Sequence, residues 1–387
     1  MGIFNKSAPA GAGGRAAAAV LISPKMATRR RVELFTLGVE EEFGLVDPAT
    51  GRLTPRIAET LSTLSEAERV EIKPDVHQAT LEIATPVCLD LEEVRAELRR
   101  LRHLARRAAN RAGVELLPVG AHPNCRWREQ PVVDYPRYHR LAEYQGDKWL
   151  KCLFWGLHVH LGVPEEEERI TIANGLRPYL PLFIACAANS PFWEGERHPA
   201  ADARLDIYSR LETVGAPPLL KSFADVDAAI LALASQGATV EKDLYWDIRP
   251  RRMLPTVEVR VCDMQTTVED STALVGLIVL AALAVRWGDG RLSAAEDEIS
   301  PNRAAAIAGG LDAHISLGGE ISTVAEAVLG FLDRSRDLAA SAGLADVHAL
   351  VADRVSRRFW PGERLLDLHE KFSGEEQKIV AGLVSLL

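Results

Sequence analysis

Cysteine is scarce and scattered in this chain. Cys88, Cys125, Cys152, Cys186 and Cys262 are spread over 387 residues, and no two form a CxxC pair. An odd count in a long chain argues against a disulfide framework or a cysteine-built zinc site, and for reduced thiols in a cytoplasmic protein. Positive charge is not in excess either. A net charge of −9 leaves no electrostatic footprint for nucleic acid or for an anionic membrane. Neither GxGxxG nor a Walker-type loop occurs, so phosphate is not expected to sit on a glycine-rich helix start. Long apolar runs are missing too. The run from Ala273 to Val285 is too short to span a bilayer and reads as a buried core helix. The run from Ala16 to Ile22 precedes the basic cluster Arg29–Arg31, the reverse of a signal peptide, and Lys6 stands where N-myristoylation needs Ser or Thr.

What remains is a composition of 47% hydrophobic and 26% charged residues, ordinary for a globular protein. A strand is expected over 34–47, with a return at 51–54 after the turn signal Asp47-Pro48, and a second strand over 80–84. Asp90 with Glu93 three residues on starts a helix that Gly113 stops. Its apolar stripe is Leu91, Val94, Leu98, Leu101 and Ala105, and its arginine-rich opposite side reads as solvated. Strands follow at 114–119, 156–163 and 255–263, with helices at 140–151, 167–190 and 224–236. From Ser271 onward the pattern is almost all helix. Helices and strands do not alternate strictly, so the class is α+β with an antiparallel sheet.

Four of these strands share an unusual face. Residues two apart on a strand lie on one side. One side of 36–46 is Gly38, Glu40, Glu42, Gly44; of 80–84, Thr80, Glu82, Ala84; of 156–163, Gly156, His158, His160, Gly162; of 256–262, Thr256, Glu258, Arg260, Cys262. The other sides are apolar apart from Glu41. Each polar side sets carboxylates, imidazoles or a guanidinium among small residues, and glycine inside a strand needs a reason, because it weakens the strand. One such strand alone reads as a solvated face. Four in one sheet would crowd Glu40, Glu42, Glu82 and Glu258 together, which repels unless cations sit among them. Carboxylates with an imidazole suit Mg²⁺ or Mn²⁺, ions that bridge phosphates to protein. Arg260 would then stabilise charge on a phosphoryl group in transfer.

The segments GVEEEFGLVD (38–47), HQATLEIATPVC (77–88), GAHPNCRWREQPVVDYPRYHRLAE (120–143), GLHVHLGV (156–163), ANSPFWEG (188–195) and YWDIRPRRMLPTVEVRVCD (245–263) resemble the carboxylate-amine ligases of the glutamate–cysteine ligase type 2 family, in the glutamine synthetase-like superfamily. The resemblance implies a curved antiparallel sheet, with helices on one face, whose open face binds ATP and divalent cations. It implies activation of a carboxylate, usually that of glutamate, as an acyl phosphate that an amine then attacks. Carried over, Glu40 and Glu42 are a metal pair, with Glu82, His158 and Asp75 as further ligands. Glu258 completes a second ion's shell and acts with Arg260 in catalysis. Arg249, Arg260 and His160 face the nucleotide. Asn189, Ser190 and Trp193 either line the substrate pocket or only shape a loop. Residues 1–31 are then expected to be a disordered tail. Residues 32–387 are expected to be a single catalytic domain with a mostly helical part from about 271 to 387. Partners would be small-molecule amino acid and amine substrates, not nucleic acid or membrane; homo-oligomerisation stays open.

Two departures stand out. The segment ERHPAADARLDIYSRLETVGAPP (196–218) replaces the family's usual Asp-Thr-Gly and Ser-x-Arg pattern, and Ala305 and Ala308 stand where arginines are expected. Competing readings are a zinc-dependent, amidohydrolase-like hydrolase using His158 and His160, and a catalytically reduced binding protein of the same fold.

Overall fold

Alternating apolar residues bury one side of each long strand, and this decides the architecture. The computed structural model describes residues 34–359 and 361–387. The tail expected at 1–31 lies outside the described residues. Among the described residues, seven strands form one antiparallel sheet: β1 (Leu37–Val46), β2 (Ile72–Pro74), β3 (Thr80–Ala84), β4 (Glu115–Leu117), β5 (Gly156–Gly162), β6 (Ile248–Pro250) and β7 (Thr256–Asp263). Their order is β6-β7-β5-β1-β3-β2, with β4 also paired to β1. The short β2 and β6 carry no long alternating pattern and were not expected from sequence.

The named helices are α1 (Leu91–Arg111), α2 (Pro136–Gln145), α3 (Glu166–Leu176), α4 (Leu180–Ala187), α5 (Ala203–Tyr208), α6 (Val268–Trp287) and α7 (Glu296–Gly309). Four of them, α1, α3, α4 and α6, pack on the sheet's apolar face. There Val39, Phe43, Leu157, Val159, Leu161, Val257 and Val259 are at most 1% exposed. Each such side chain contributes about 1.5–3 kcal/mol by leaving water.

The helix starts follow their capping residues. The Asp90 carboxylate accepts the Glu93 N–H at 2.9 Å, and Glu93 reaches back to the Leu89 N–H at 2.8 Å. Thr267 and Asp270 form a reciprocal box that starts α6 upstream of the expected Ser271. That extension corrects only the length read from 273–285; the buried core helix expected there is present. At 20 residues, α6 is long and apolar enough to cross a membrane by length and composition, but 94% of its most apolar window is buried inside the fold.

Two details depart from an otherwise matching pattern, each for a physical reason. The C-terminal part is interrupted by a hairpin, β8 (His314–Leu317) and β9 (Glu320–Thr323). Its turn uses Gly318 and Gly319, both at positive φ (65° and 85°), which favours a tight two-residue connection. The arginine side of α1 is not wholly solvated. Arg102 is 2% exposed and runs into the apolar layer to Glu41.

Candidate active site

Sheet order sets β7, β5, β1 and β3 side by side, so their four polar faces become one surface. Register then fixes the neighbours. Glu40 stands opposite His158, His160 opposite both Gly38 and Glu258, and Glu42 opposite Glu82. Arg249 stands opposite Glu258. Above this surface lies a cavity of about 300 Å³. Glu40, Glu42, Asp75, His158, His160, Arg249, Glu258 and Arg260 all line it. Glu82 sits one strand further out, across from Glu42.

Two of the glycines are explained by what covers them. A Cβ at Gly44 would lie 2.5 Å from the Trp155 ring, and one at Gly156 would lie 2.5 Å from Nη2 of Arg204. Large groups descend onto the sheet where glycine leaves room.

Glu40 is the centre of the polar face. Its Oε2 is 3.2 Å from His158 Nδ1, and its Oε1 is 3.5 Å from His160 Nε2. His158 Nε2 is 3.7 Å from Glu42. His160 turns its Nδ1 to the Thr256 hydroxyl at 3.2 Å, and its Nε2 is buried without a hydrogen-bond partner. Glu40, His158 and Glu258 each offer one donor atom within 4.8 Å of the others, and these three make the candidate metal group.

The electrostatics show how strongly the anions crowd. Burial pushes the Glu42 carboxyl up to about 8, and the charge of Asp75 adds to the shift. Burial also raises Asp75, and it raises Glu82 well above the usual range, with Glu40, Asp75 and Glu42 reinforcing it. Arg204 and Arg260 pull Glu42 down, Arg260 and Arg137 pull Asp75 down, and Lys73 pulls Glu82 down, but none outweighs burial, and a divalent cation would favour the ionised forms. Burial and the adjacent Arg260 push His158 down to about 4. Its imidazole is therefore neutral at pH 7, the form that ligates metal. The donor chemistry of carboxylate oxygens and one neutral imidazole fits a hard divalent cation.

Glu258 is different. Burial would raise it, but Arg249 and Arg260 outweigh burial and hold it well below the usual range. Arg249 donates from Nε at 3.1 Å and Nη2 at 2.9 Å, Arg251 donates from Nη1 at 2.8 Å, and Arg260 also bonds it. Arg249 is thus a buried anchor of Glu258, 4% exposed. Its remaining N–H groups reach the carbonyls of Lys242 and Leu244. Arg252, by contrast, makes an exposed pair with Asp227.

The expected face of β7 breaks at one point. Val259 pairs with Val159 but Cys262 pairs with Leu157, so β7 carries one extra residue between them. This bulge at Arg260 and Val261 re-aims Arg260 and turns Cys262 to the helix side. Asp263 takes the place across from Gly156, where it accepts the Ser190 hydroxyl and the Asn189 N–H, both at 2.7 Å. Asn189 and Ser190 therefore brace Asp263 at the end of β7, and neither they nor Trp193 lines the cavity.

Sequence reading missed several lining residues: Arg137, Arg204, Tyr208, Lys242, Tyr245 and Arg251. Arg204 and Tyr208 lie on α5, inside the segment 196–218 that read as a departure; the helical spacing of Arg204 and Tyr208 was their only signal. Tyr245 is placed by a two-residue parallel pairing of Val214–Gly215 with Tyr245–Trp246, which no periodicity shows. Neither Ala305 nor Ala308 lines the cavity; on the same helix, Arg303 turns inward to Asp247.

Known proteins resemble this chain in sequence and in fold. The sequence profile of glutamate-cysteine ligase family 2 matches residues 36–381. A protein of Gloeobacter violaceus, provisionally named glutamate–cysteine ligase 2, is 35% identical over 254 residues, 65% of this chain and 68% of that protein. One of the same provisional name from Herpetosiphon aurantiacus is 34% identical over 245 residues, 63% of this chain and 64% of that one. The match thus spans about two thirds of each relative's length. Among solved structures, a bifunctional glutathione synthetase from Pasteurella multocida superposes with a TM-score of 0.69 at 16% identity, over 91% of this chain and 52% of that one. A glutamate–cysteine ligase from Francisella tularensis in complex with AMP gives 0.64 at 14% identity, over 92% of both chains.

Proposed function

Because the chain belongs to glutamate-cysteine ligase family 2, we propose that its cavity joins a carboxylate to an amine at the expense of ATP, through an acyl phosphate. Glutamate or a related amino acid supplies the carboxylate. The observation that carries this reading is the meeting of Glu40, Glu42, His158, Glu258 and Arg260 in one cavity with Asp75.

Glu40, Glu42, His158 and Glu258 would hold Mg²⁺ or Mn²⁺, with Asp75 and Glu82 at the margin. The ion supplies charge neutralisation on the phosphates, which lets an anionic carboxylate approach phosphorus. Arg260 carries a fixed positive charge at the cavity floor and stabilises the phosphoryl group in transfer. A carboxylate oxygen attacks the γ-phosphorus and ADP leaves. The amine nitrogen then attacks the acyl carbon, an amide forms, and inorganic phosphate leaves. Arg137, Arg251 and Lys242 give the cavity a cationic rim suited to anionic substrates. The five free cysteines are all buried thiols, in keeping with a reducing cytoplasmic setting. The zinc-hydrolase reading lacks support, because no histidine beyond His158 and His160 lines the cavity among the described residues.

The test is release of ADP and phosphate from purified protein with ATP, Mg²⁺, glutamate and a panel of amines that includes cysteine. Release that needs both the carboxylate and one amine, and that falls with Arg260→Ala, supports the ligase. Absence of turnover together with absence of ATP binding by calorimetry overturns it.

A further inference from the structure

The bulge in β7 leaves Arg260 and Val261 without partners in the β5 register. Both accept hydrogen bonds from one side chain. Arg204 donates from Nη2 to Arg260 O at 3.2 Å and from Nη1 to Val261 O at 3.1 Å. The Arg260 N–H donates to Asp247 O at 2.8 Å. The peptide groups on both sides of the Arg260 Cα are therefore held, one by the continuing β6 register and one by Arg204, and the side chain between them points to Glu258 and His158.

Arg204 is itself built in. It is 3% exposed. Its backbone N–H donates to the Ser190 hydroxyl at 3.1 Å, and Nη1 is 3.6 Å from Asp263. The Asp202 carboxylate caps α5 through the Leu205 N–H at 2.8 Å, which fixes where the arginine leaves the helix. Its guanidinium occupies the space that a side chain at position 156 would fill.

We propose that Arg204 is a positioning residue: its planar fork holds the β7 bulge open and thereby aims Arg260 into the cavity. The inference rests on the ligase reading for its kinetic readout, but its geometry can be tested without turnover. A lysine at this place has a point charge and cannot bond two carbonyls in a fixed plane.

The experiment has a kinetic and a structural arm. Arg204→Lys is expected to lower kcat by about tenfold to a hundredfold, the scale of a small misplacement of a catalytic group, with KM for ATP within about twofold. Gly156→Ala displaces the guanidinium without removing its charge, and the same split of kcat against KM is expected. A crystal structure of Arg204→Met is expected to show Arg260 moved off Glu258, with the β7 register otherwise kept. Unchanged kcat in Arg204→Lys, or a rise in KM alone, overturns the proposal; the latter would mean that Arg204 binds substrate instead. If the wild-type protein turns over nothing, the ligase reading fails, and the crystal structure still decides: an unmoved Arg260 overturns the positioning role.

Discussion

Glu41 and its two neighbours on β1 have identical side chains and opposite fates. Glu41 faces the helices at 0% exposure, and its carboxylate is closed off. Arg102 grips it with two bonds, at 2.8 and 2.6 Å, and the Ser271 hydroxyl adds a third. Arg102 also donates to the carbonyls of Gln265 and Thr266. Glu40 and Glu42 face the cavity. No arginine or lysine salt bridge reaches either of them among the described residues; their ion-pair partners are imidazoles. A buried carboxylate whose cation is part of the fold is structural. Carboxylates paired only with imidazoles leave room for an external cation.

The sharpest break in that contrast is Arg102→Ala. It strands a buried carboxylate, and a loss of about 3–5 kcal/mol is expected in urea unfolding. The double variant Glu41→Leu, Arg102→Met should lose much less, because apolar groups of similar size can replace a buried pair.

On the cavity side, the largest effect is expected from Arg260→Ala. Its kcat should fall by about 10²–10³-fold, as when one preorganised electrostatic contact to the transition state is removed. Stability should change little by comparison, and thermal unfolding checks this.

A smaller effect separates the faces by pH. The Glu42 carboxyl is raised to about 8 in the fold, so its contribution is full below the ordinary value of 4.5 and is lost as pH rises through 8. Cation-free protein should therefore lose stability over that window. Saturating Mn²⁺ should raise the unfolding temperature more at pH 8 than at pH 6, because at the lower pH the ion must displace a proton. Equal shifts at both values would mean that Glu42 is not in the cation's shell.

The mildest effect belongs to Glu82→Gln. An amide imitates the protonated acid, so unfolding in EDTA at pH 8 should become slightly harder, by less than about 1 kcal/mol. A marked loss of stability would show that Glu82 is bonded rather than repelled.

Strand alternation made the site legible from residue types alone. The pattern in 36–46, 80–84, 156–163 and 256–262 was enough to bring Glu40, Glu42, His158, Glu258 and Arg260 to one face. Alternation also hid things. A bulge adds one residue without altering the letters, so Cys262 was placed on the wrong side. Arg102 looked like one more solvated arginine because helical spacing does not say which arginine finds a buried partner. Arg204 and Tyr245 reach the cavity from a short helix and a two-residue pairing, contacts made only by the tertiary fold. The hairpin at 314–323 was readable in its Gly318-Gly319 pair, and the helical run around it masked the signal.

The most direct measurement of the central claim is an isotope transfer. Glutamate labelled with ¹⁸O in its side-chain carboxylate would be supplied with ATP, Mg²⁺ and the productive amine, and the released phosphate analysed by mass spectrometry. An acyl phosphate carries a carboxylate oxygen away on phosphorus, so phosphate bearing one ¹⁸O is the expected result. Unlabelled phosphate formed alongside the amide would contradict the account.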